Sequence, residues 1–111
     1  MSKFHNEKMV VGDQIFDSRH EYARWRELQL MQRAGEIADL KRQVKYELLP
    51  VFRDENGKIL ERAVNYVADF VYTDLRDGCT QVEDAKGMRT KEYIIKRKMM
   101  LHKYGIRIME V

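Results

Sequence analysis

The feature that most constrains the fold is the segment 66–72, an apolar run with a single carboxylate, Asp69, near its centre. Apolar residues occupy both alternating sets of positions, which is typical of a strand buried on both faces. Such a strand needs a covering layer on each side of its sheet, so the segment predicts a layered α/β fold. Asp69 would then be a buried carboxylate that requires a compensating cation or metal ion.

Two helices are predicted from their capping signals. Ser18 and Glu21 match a capping box at the start of a helix expected over residues 18–34. A threonine can cap a second helix, expected over residues 90–104, and Gly105 would end it. Each helix is thus expected to begin at a hydroxyl side chain and to end at a glycine.

The remaining segments complete the order of elements. Apolar patterns predict strands over residues 44–48, 66–72, 80–86 and 106–108. The resulting order is α-β-β-β-α-β, which predicts an α/β fold with a mixed sheet flanked by helices. We expect this core to form a single domain of residues 1–111, with an N-terminal hairpin at residues 9–16.

Composition narrows the classes of protein further. A hydrophobic content of 44% argues against disorder, and no apolar run is long enough to span a bilayer. Residues 1–7 lack the apolar region of a secretion signal, and Cys79 is the only cysteine. We therefore expect a cytoplasmic protein that has no internal disulfide and no membrane partner.

Positive charge is concentrated near the end of the chain. Residues 86–107 carry eight Lys and Arg against one acid, a local net charge of +7, whereas the residues before them sum to −3. A basic run of this kind is either a solvated helix face or a surface for nucleic acid. Charge alone does not choose between these interpretations.

Carboxylates and a lysine are predicted to converge on the sheet. In a strand, Asp84 and Lys86 share one face, and Glu83 lies on the other. If this strand pairs with segment 66–72, Asp69 and Asp84 approach each other, and a divalent ion would relieve their repulsion. In the first helix, Glu21 shares the apolar stripe that faces the sheet.

Each of these residues also has a purely structural interpretation. Glu21 can simply close the capping box, Asp69 can be a satisfied buried group, and Asp84 can pair with Lys86. Taken together, the four favour metal-assisted phosphodiester hydrolysis, in which hard oxygen ligands hold Mg²⁺ and a lysine orients water. The sequence has no zinc-type Cys/His cluster and no glycine-rich phosphate loop.

The motif residues resemble those of a known superfamily. Segments 67–70, 82–87 and 90–93 are similar in order to the PD-(D/E)XK nucleases, whose restriction-endonuclease-like core is also α-β-β-β-α-β. A closer resemblance, over nearly the whole chain, is to a small family of uncharacterised phage and prophage proteins. Two departures from the superfamily pattern are Ala68, in place of the proline, and Glu83, an acid beside Asp84.

The resemblance implies a role for each motif residue. Glu21 would be the helical acid, Asp69 and Asp84 the strand ligands of Mg²⁺ or Mn²⁺, and Lys86 the lysine that positions water. The main-chain carbonyl of Ala85 would be a further metal ligand. By the same resemblance, DNA would contact basic residues in and before the second helix, namely Arg89, Lys91, Lys96, Arg97 and Lys98. Residues of this helix expected to pack on the sheet are Ile94, Ile95, Met99 and Leu101.

Three functions follow as hypotheses. The first is a metal-dependent DNA endonuclease in phage recombination or replication, with branched DNA such as Holliday junctions among its candidate substrates and a homodimer to supply two cuts. The second is a catalytically inactive DNA-binding or accessory protein with the same fold. The third is a protein-interaction module in which the same charges form a structural ion-pair network.

Overall fold

The computed structural model of the protein describes residues 8–85 and 89–111. Its elements, in chain order, are β1 (Met9–Val11), β2 (Gln14–Phe16), α1 (Arg19–Arg33), β3 (Ile37–Leu49), β4 (Phe52–Arg53), β5 (Ile59–Glu61), β6 (Val64–Asp74), β7 (Cys79–Asp84), α2 (Lys91–Tyr104) and β8 (Met109–Glu110). Neither helix in this part of the chain has the length and apolar character needed to cross a membrane.

The central sheet has four strands in the order β3-β6-β7-β8. β3, β6 and β7 are antiparallel neighbours, and β8 joins β7 in parallel after the α2 crossover. β1 and β2 form the expected N-terminal hairpin, and β4 and β5 form a second two-stranded hairpin. The predicted mixed α/β fold is confirmed.

Both helices begin and end where the sequence predicted. The hydroxyls of Ser18 and Thr90 cap α1 and α2 by accepting hydrogen bonds from main-chain N–H groups three residues later, each at 3.1 Å. Gly35 and Gly105 follow the helices with φ of 80° and 67°, a conformation that glycine adopts without strain.

The helices cover opposite faces of the sheet, which places β6 between two apolar clusters. The α1 cluster consists of Leu28, Ile37, Phe70, Tyr72 and Ala85. The α2 cluster consists of Leu48, Tyr66, Ala68, Val82, Tyr93 and Met100. The double burial predicted for the β6 segment is therefore confirmed, and polar groups on β6 and β7 lie between the two clusters.

Several predicted details differ from the structure. β3 is much longer than the predicted segment 44–48, and β8 lies just after the predicted 106–108. On α2, Ile94 and Met99 pack toward the sheet as expected, but Ile95 and Leu101 are exposed and that prediction was wrong. Tyr93 and Met100 are the buried residues of this helix.

Candidate functional site

The pairing of β6 with β7 brings the two strand aspartates side by side. The ladder between β6 and β7 ends at the pair Phe70 and Glu83, and Asp69 and Asp84 are the next residues of the two strands. The Oδ2 atom of Asp69 accepts a hydrogen bond from the main-chain N–H of Ala85 at 2.8 Å. Asp69 and Asp84 are only 3% and 1% exposed. Two buried carboxylates therefore lie on adjacent central strands, as the sequence predicted.

Asp84 and Glu83 are held from opposite faces of β7, as the period of two predicts. The hydroxyl of Tyr66, a residue of the α2 cluster, donates a hydrogen bond to Asp84 Oδ2 at 2.7 Å. Burial, together with this hydrogen bond, raises the pKa of Tyr66 well above its usual value. On the α1 face, Glu83 accepts hydrogen bonds from the Arg24 guanidinium and from the Tyr72 hydroxyl. Both oxygens of Glu83 therefore take part in an ion pair that joins α1 to the sheet.

Glu21 lies on the buried face of α1, where it is 2% exposed. Its backbone N–H donates a hydrogen bond to the hydroxyl oxygen of Ser18, as in a capping box. Its side-chain Oε1 atom, however, accepts from the N–H of Asp17 at 3.0 Å, whereas a capping box would use the N–H of Ser18. Its Oε2 atom lies 3.4 Å from Nη2 of Arg42 and 3.5 Å from Nε2 of Gln43. Glu21 therefore has both a capping role and contacts with β3.

Gln43 connects Glu21 to Asp69, and no pattern in the sequence singles it out. Its Nε2 atom lies 3.5 Å from Glu21 Oε2 and 3.4 Å from Asp69 Oδ1. Arg42 pairs with Phe70 on β6, so Gln43 and Asp69 face each other across the two strands. The local backbone is unusual, since the φ of Gln43 is 54°, a left-handed conformation that β3 shows also at Asp39.

The alternation of β6 changes at Asp69. Ala68 packs in the α2 cluster, whereas Phe70 stacks on Trp25 of α1 with ring centroids 6.1 Å apart. In a regular strand, residues two apart face the same side of the sheet. The pleat is therefore interrupted at Asp69, directly opposite the left-handed Gln43.

Arg42 ties the N-terminal hairpin to this site. Its guanidinium carbon lies 3.8 Å from the ring centroid of Phe16, and its Nη2 donates to the carbonyl oxygen of Ile15 at 3.0 Å. The same nitrogen is the one near Glu21 Oε2. The Nε atom of Arg42 is buried without a hydrogen-bond partner among the described residues.

The donor set can be compared with what a metal ion needs. Among residues 8–85 and 89–111, no three His, Cys, Asp or Glu side chains are grouped so that they could hold a metal ion. A pair of carboxylates nevertheless suits Mg²⁺, which usually keeps several waters and takes one or two carboxylates together with substrate phosphates. Asp69 and Asp84 fit that requirement. The ligand roles of Glu21 and Ala85 stay predictions, and Lys86 lies outside the described residues.

Most of the basic residues assigned to DNA are engaged with acids. Arg89 and Arg97 both pair with Glu110 of β8, at 2.7 and 3.0 Å, and Lys96 lies 3.8 Å from Glu92. Lys91 and Lys98 are exposed, and the described part of the chain offers neither of them an ion pair. These two lysines are the clearest places for a phosphate contact on α2.

Comparison with known proteins identifies a family whose description names no activity. A family model described as a protein of unknown function, DUF1064, matches residues 1–109. The chain belongs to the DUF1064 family. No curated protein and no solved structure matches it. Membership in the DUF1064 family assigns no chemistry, so the resemblance to PD-(D/E)XK nucleases stays a prediction and the function has to be argued from the site.

Proposed function

We propose that the protein is a metal-dependent DNA endonuclease that hydrolyses phosphodiester bonds. The observation that carries the proposal is the pair of buried aspartates on β6 and β7, with Asp69 accepting the N–H of Ala85 at 2.8 Å. Two carboxylates so placed repel each other when both carry charge, and a divalent cation relieves that repulsion. The order of elements around the pair is the one expected of such a nuclease.

Different residues of the chain would hold the metal ion, orient its carboxylate ligands and position the attacking water. Asp69 and Asp84 would hold Mg²⁺ or Mn²⁺, and the bound ion would polarise the phosphate and activate water. The N–H of Ala85 fixes the direction of the Asp69 carboxylate, and the Tyr66 hydroxyl fixes that of Asp84. We assign to Lys86 the task of orienting the attacking water.

The substrate and setting are part of the same proposal. A chain of 111 residues offers little surface for reading a sequence, so shape and phosphate contacts should dominate recognition. We propose a role in phage recombination or replication within a bacterial cytoplasm, with branched DNA such as Holliday junctions as the substrate to test first. A homodimer would supply the two cuts that a junction requires.

A second function is favoured by a specific observation. Among residues 8–85 and 89–111, no three His, Cys, Asp or Glu side chains are grouped so that they could hold a metal ion, whereas Lys91 and Lys98 of α2 are exposed. Exposed lysines beside a site with few metal ligands would suit a catalytically inactive DNA-binding or accessory protein with the same fold. The two functions differ only in whether bound DNA is cut.

A cleavage assay separates the two. Labelled single-stranded, duplex, flap and four-way-junction DNA should be incubated with the protein in Mg²⁺, Mn²⁺ or EDTA. We expect cleavage that requires the metal and falls by about 100-fold or more in Asp69→Asn and Asp84→Asn, since even outer-shell partners of metal ligands cost up to that much. Asp74→Asn is the matched control, because this β6 acid pairs with Arg76 instead.

The outcomes discriminate clearly. Metal-dependent cleavage that Asp74→Asn keeps and the two site variants lose supports the endonuclease. Junction binding without cleavage in any metal supports the accessory protein. Cleavage unaffected by Asp84→Asn in a folded protein would exclude this site as the source of activity.

A further inference from the structure

Two residues of β3 adopt a backbone conformation that L-amino acids rarely take. The φ angles of Asp39 and Gln43 are 55° and 54°, in the left-handed region that glycine and asparagine adopt more readily. Non-glycine residues persist there when surrounding contacts hold them, and such positions are concentrated at functional sites. The two residues therefore provide a natural comparison, because only one of them contacts the acids of the site.

Gln43 makes that contact with both acids at once. One NH₂ group carries two donors, and its nitrogen lies 3.5 Å from Glu21 Oε2 and 3.4 Å from Asp69 Oδ1. These distances are longer than the usual hydrogen-bond range, so the amide lies between the two carboxylates and makes a long contact with each. Within the described residues, no hydrogen bond joins Asp39 to either acid.

Gln43 is also the exposed residue of the group. Glu21 and Asp69 are almost fully buried, whereas Gln43 is exposed at the surface of β3. Glu21 Oε2 already lies 3.4 Å from the Arg42 guanidinium, whereas the neutral amide of Gln43 adds no positive charge beside Asp69 and so does not compete with a cation for that carboxylate. A cationic side chain in the same place would instead compete with the metal for the carboxylate charge.

We propose that Gln43 is a positioning residue for divalent-cation binding. It bridges Asp69 Oδ1 to Glu21 and so completes the orientation of the Asp69 carboxylate, whose Oδ2 is held by the N–H of Ala85. The inference rests on the proposed function, because it assigns the cation to Asp69. The left-handed backbone lets the side chain of Gln43 bridge Glu21 of α1 and Asp69 of β6. An asparagine would tolerate this backbone better but is one methylene shorter, so its amide should not span both acids.

The test uses substitutions that relieve strain. Gln43→Gly removes both the amide and the cost of the left-handed backbone. Asp39→Gly removes the same backbone cost together with a side chain that, among the described residues, has no hydrogen bond to Glu21 or Asp69. Both variants should therefore melt at or above the wild-type temperature. Mn²⁺ binding to each protein should be measured without DNA, by calorimetric titration and by the rise in melting temperature that Mn²⁺ causes. We expect Gln43→Gly and Gln43→Asn to bind Mn²⁺ about 10- to 100-fold more weakly than wild type, as is typical when an outer-shell partner is lost. Asp39→Gly should bind as wild type does.

Each result has a defined meaning. Mn²⁺ affinity that falls in the two Gln43 variants and not in Asp39→Gly supports the positioning role. Equal Mn²⁺ affinity in wild type and Gln43→Gly overturns that role and leaves the proposed metal site standing. An equal loss of Mn²⁺ affinity in Gln43→Gly and Asp39→Gly has the same meaning. If wild-type protein binds no Mn²⁺ up to millimolar concentration, the positioning role and the proposed metal site fail together.

Discussion

A fully buried acid, Glu83, lies outside the proposed metal site. Glu83 is 0% exposed, and Arg24 donates to both of its oxygens, with distances of 2.8 Å from Nε and 2.7 Å from Nη2. Tyr72 adds a third donor. Because Arg24 belongs to α1 and Glu83 to β7, this ion pair fastens the helix to the centre of the sheet.

Breaking this pair should cost much of the stability of the domain. Glu83→Ala leaves the Arg24 guanidinium and the Tyr72 hydroxyl without their acceptor, and we expect the free energy of unfolding to fall by about 3–5 kcal/mol. Urea denaturation followed by circular dichroism measures the change.

A control is available on the same arginine. Arg24 also lies 3.5 Å from Glu27, which is 65% exposed, and Glu27→Ala should change the free energy of unfolding by less than about 1 kcal/mol because exposed ion pairs contribute little. Similar losses in the two variants would show that Glu83 stabilises the fold no more than a surface charge does.

The sequence predicted the buried acids of the site but not the residues that hold them. Asp69 was recognisable because it interrupts an apolar run, and Glu21 because it lies on the apolar face of a helix. Gln43 sits in a stretch of alternating polar residues, where its left-handed φ leaves no mark in the sequence. The partnership of Arg24 with Glu83 spans 59 positions of the chain, so only the tertiary fold reveals it.

At the scale of elements, the prediction that α2 contacts DNA rests on fewer basic residues than the sequence suggested. Arg97 and Arg89 converge on Glu110, so replacing them would disturb the contact between α2 and β8 as well as any DNA contact. Lys91 and Lys98 are exposed and can be changed with little effect on the fold. They provide the cleaner test of whether this helix faces DNA.

The double variant Lys91→Gln/Lys98→Gln should weaken DNA binding similarly for all sequences. Each lost phosphate contact lowers the slope of log K against log salt by roughly 0.9 on duplex DNA. Fluorescence anisotropy at several salt concentrations measures both quantities. The matched control is Lys58→Gln/Arg62→Gln, which removes the same charge near the β4–β5 hairpin. An unchanged affinity and slope in the α2 variant would identify the basic run as a solvated face.

The accuracy of the sequence predictions differed between elements for physical reasons. Helix ends were predictable because capping hydroxyls and glycines act locally. The phase of α2 was not, because apolar residues surround much of its circumference and only packing selects Tyr93 and Met100. The first part of β3 was missed because it is rich in polar residues and contains two left-handed residues. β4 and β5 form a small exposed hairpin, which leaves no pattern of burial to detect.

At the scale of the whole molecule, acids are matched to tyrosines at the sheet. Tyr66 donates to Asp84 from the α2 face, Tyr72 donates to Glu83 from the α1 face, and Tyr93 donates to Glu110 on β8. Burial is the main cause that raises the pKa of each of these phenols above its usual value, and the hydrogen bond to a carboxylate adds to it. Two of the pairs join β6 to β7, the third joins α2 to β8, and all three should be weakened at alkaline pH.

The sign of the effect follows from linkage. A phenol whose pKa is raised in the folded state stabilises the fold fully below its unfolded pKa of about 10, and this stability is lost as the pH rises further. We therefore expect melting temperature to fall steeply above about pH 10. Phenolate absorbance near 295 nm should show Tyr66, Tyr72 and Tyr93 ionising together with the loss of the folded circular dichroism signal. Tyr66→Phe should make the fall above pH 10 shallower, since it removes one of the linked protons. Ionisation of all six tyrosines near pH 10 with the fold intact would refute this coupling.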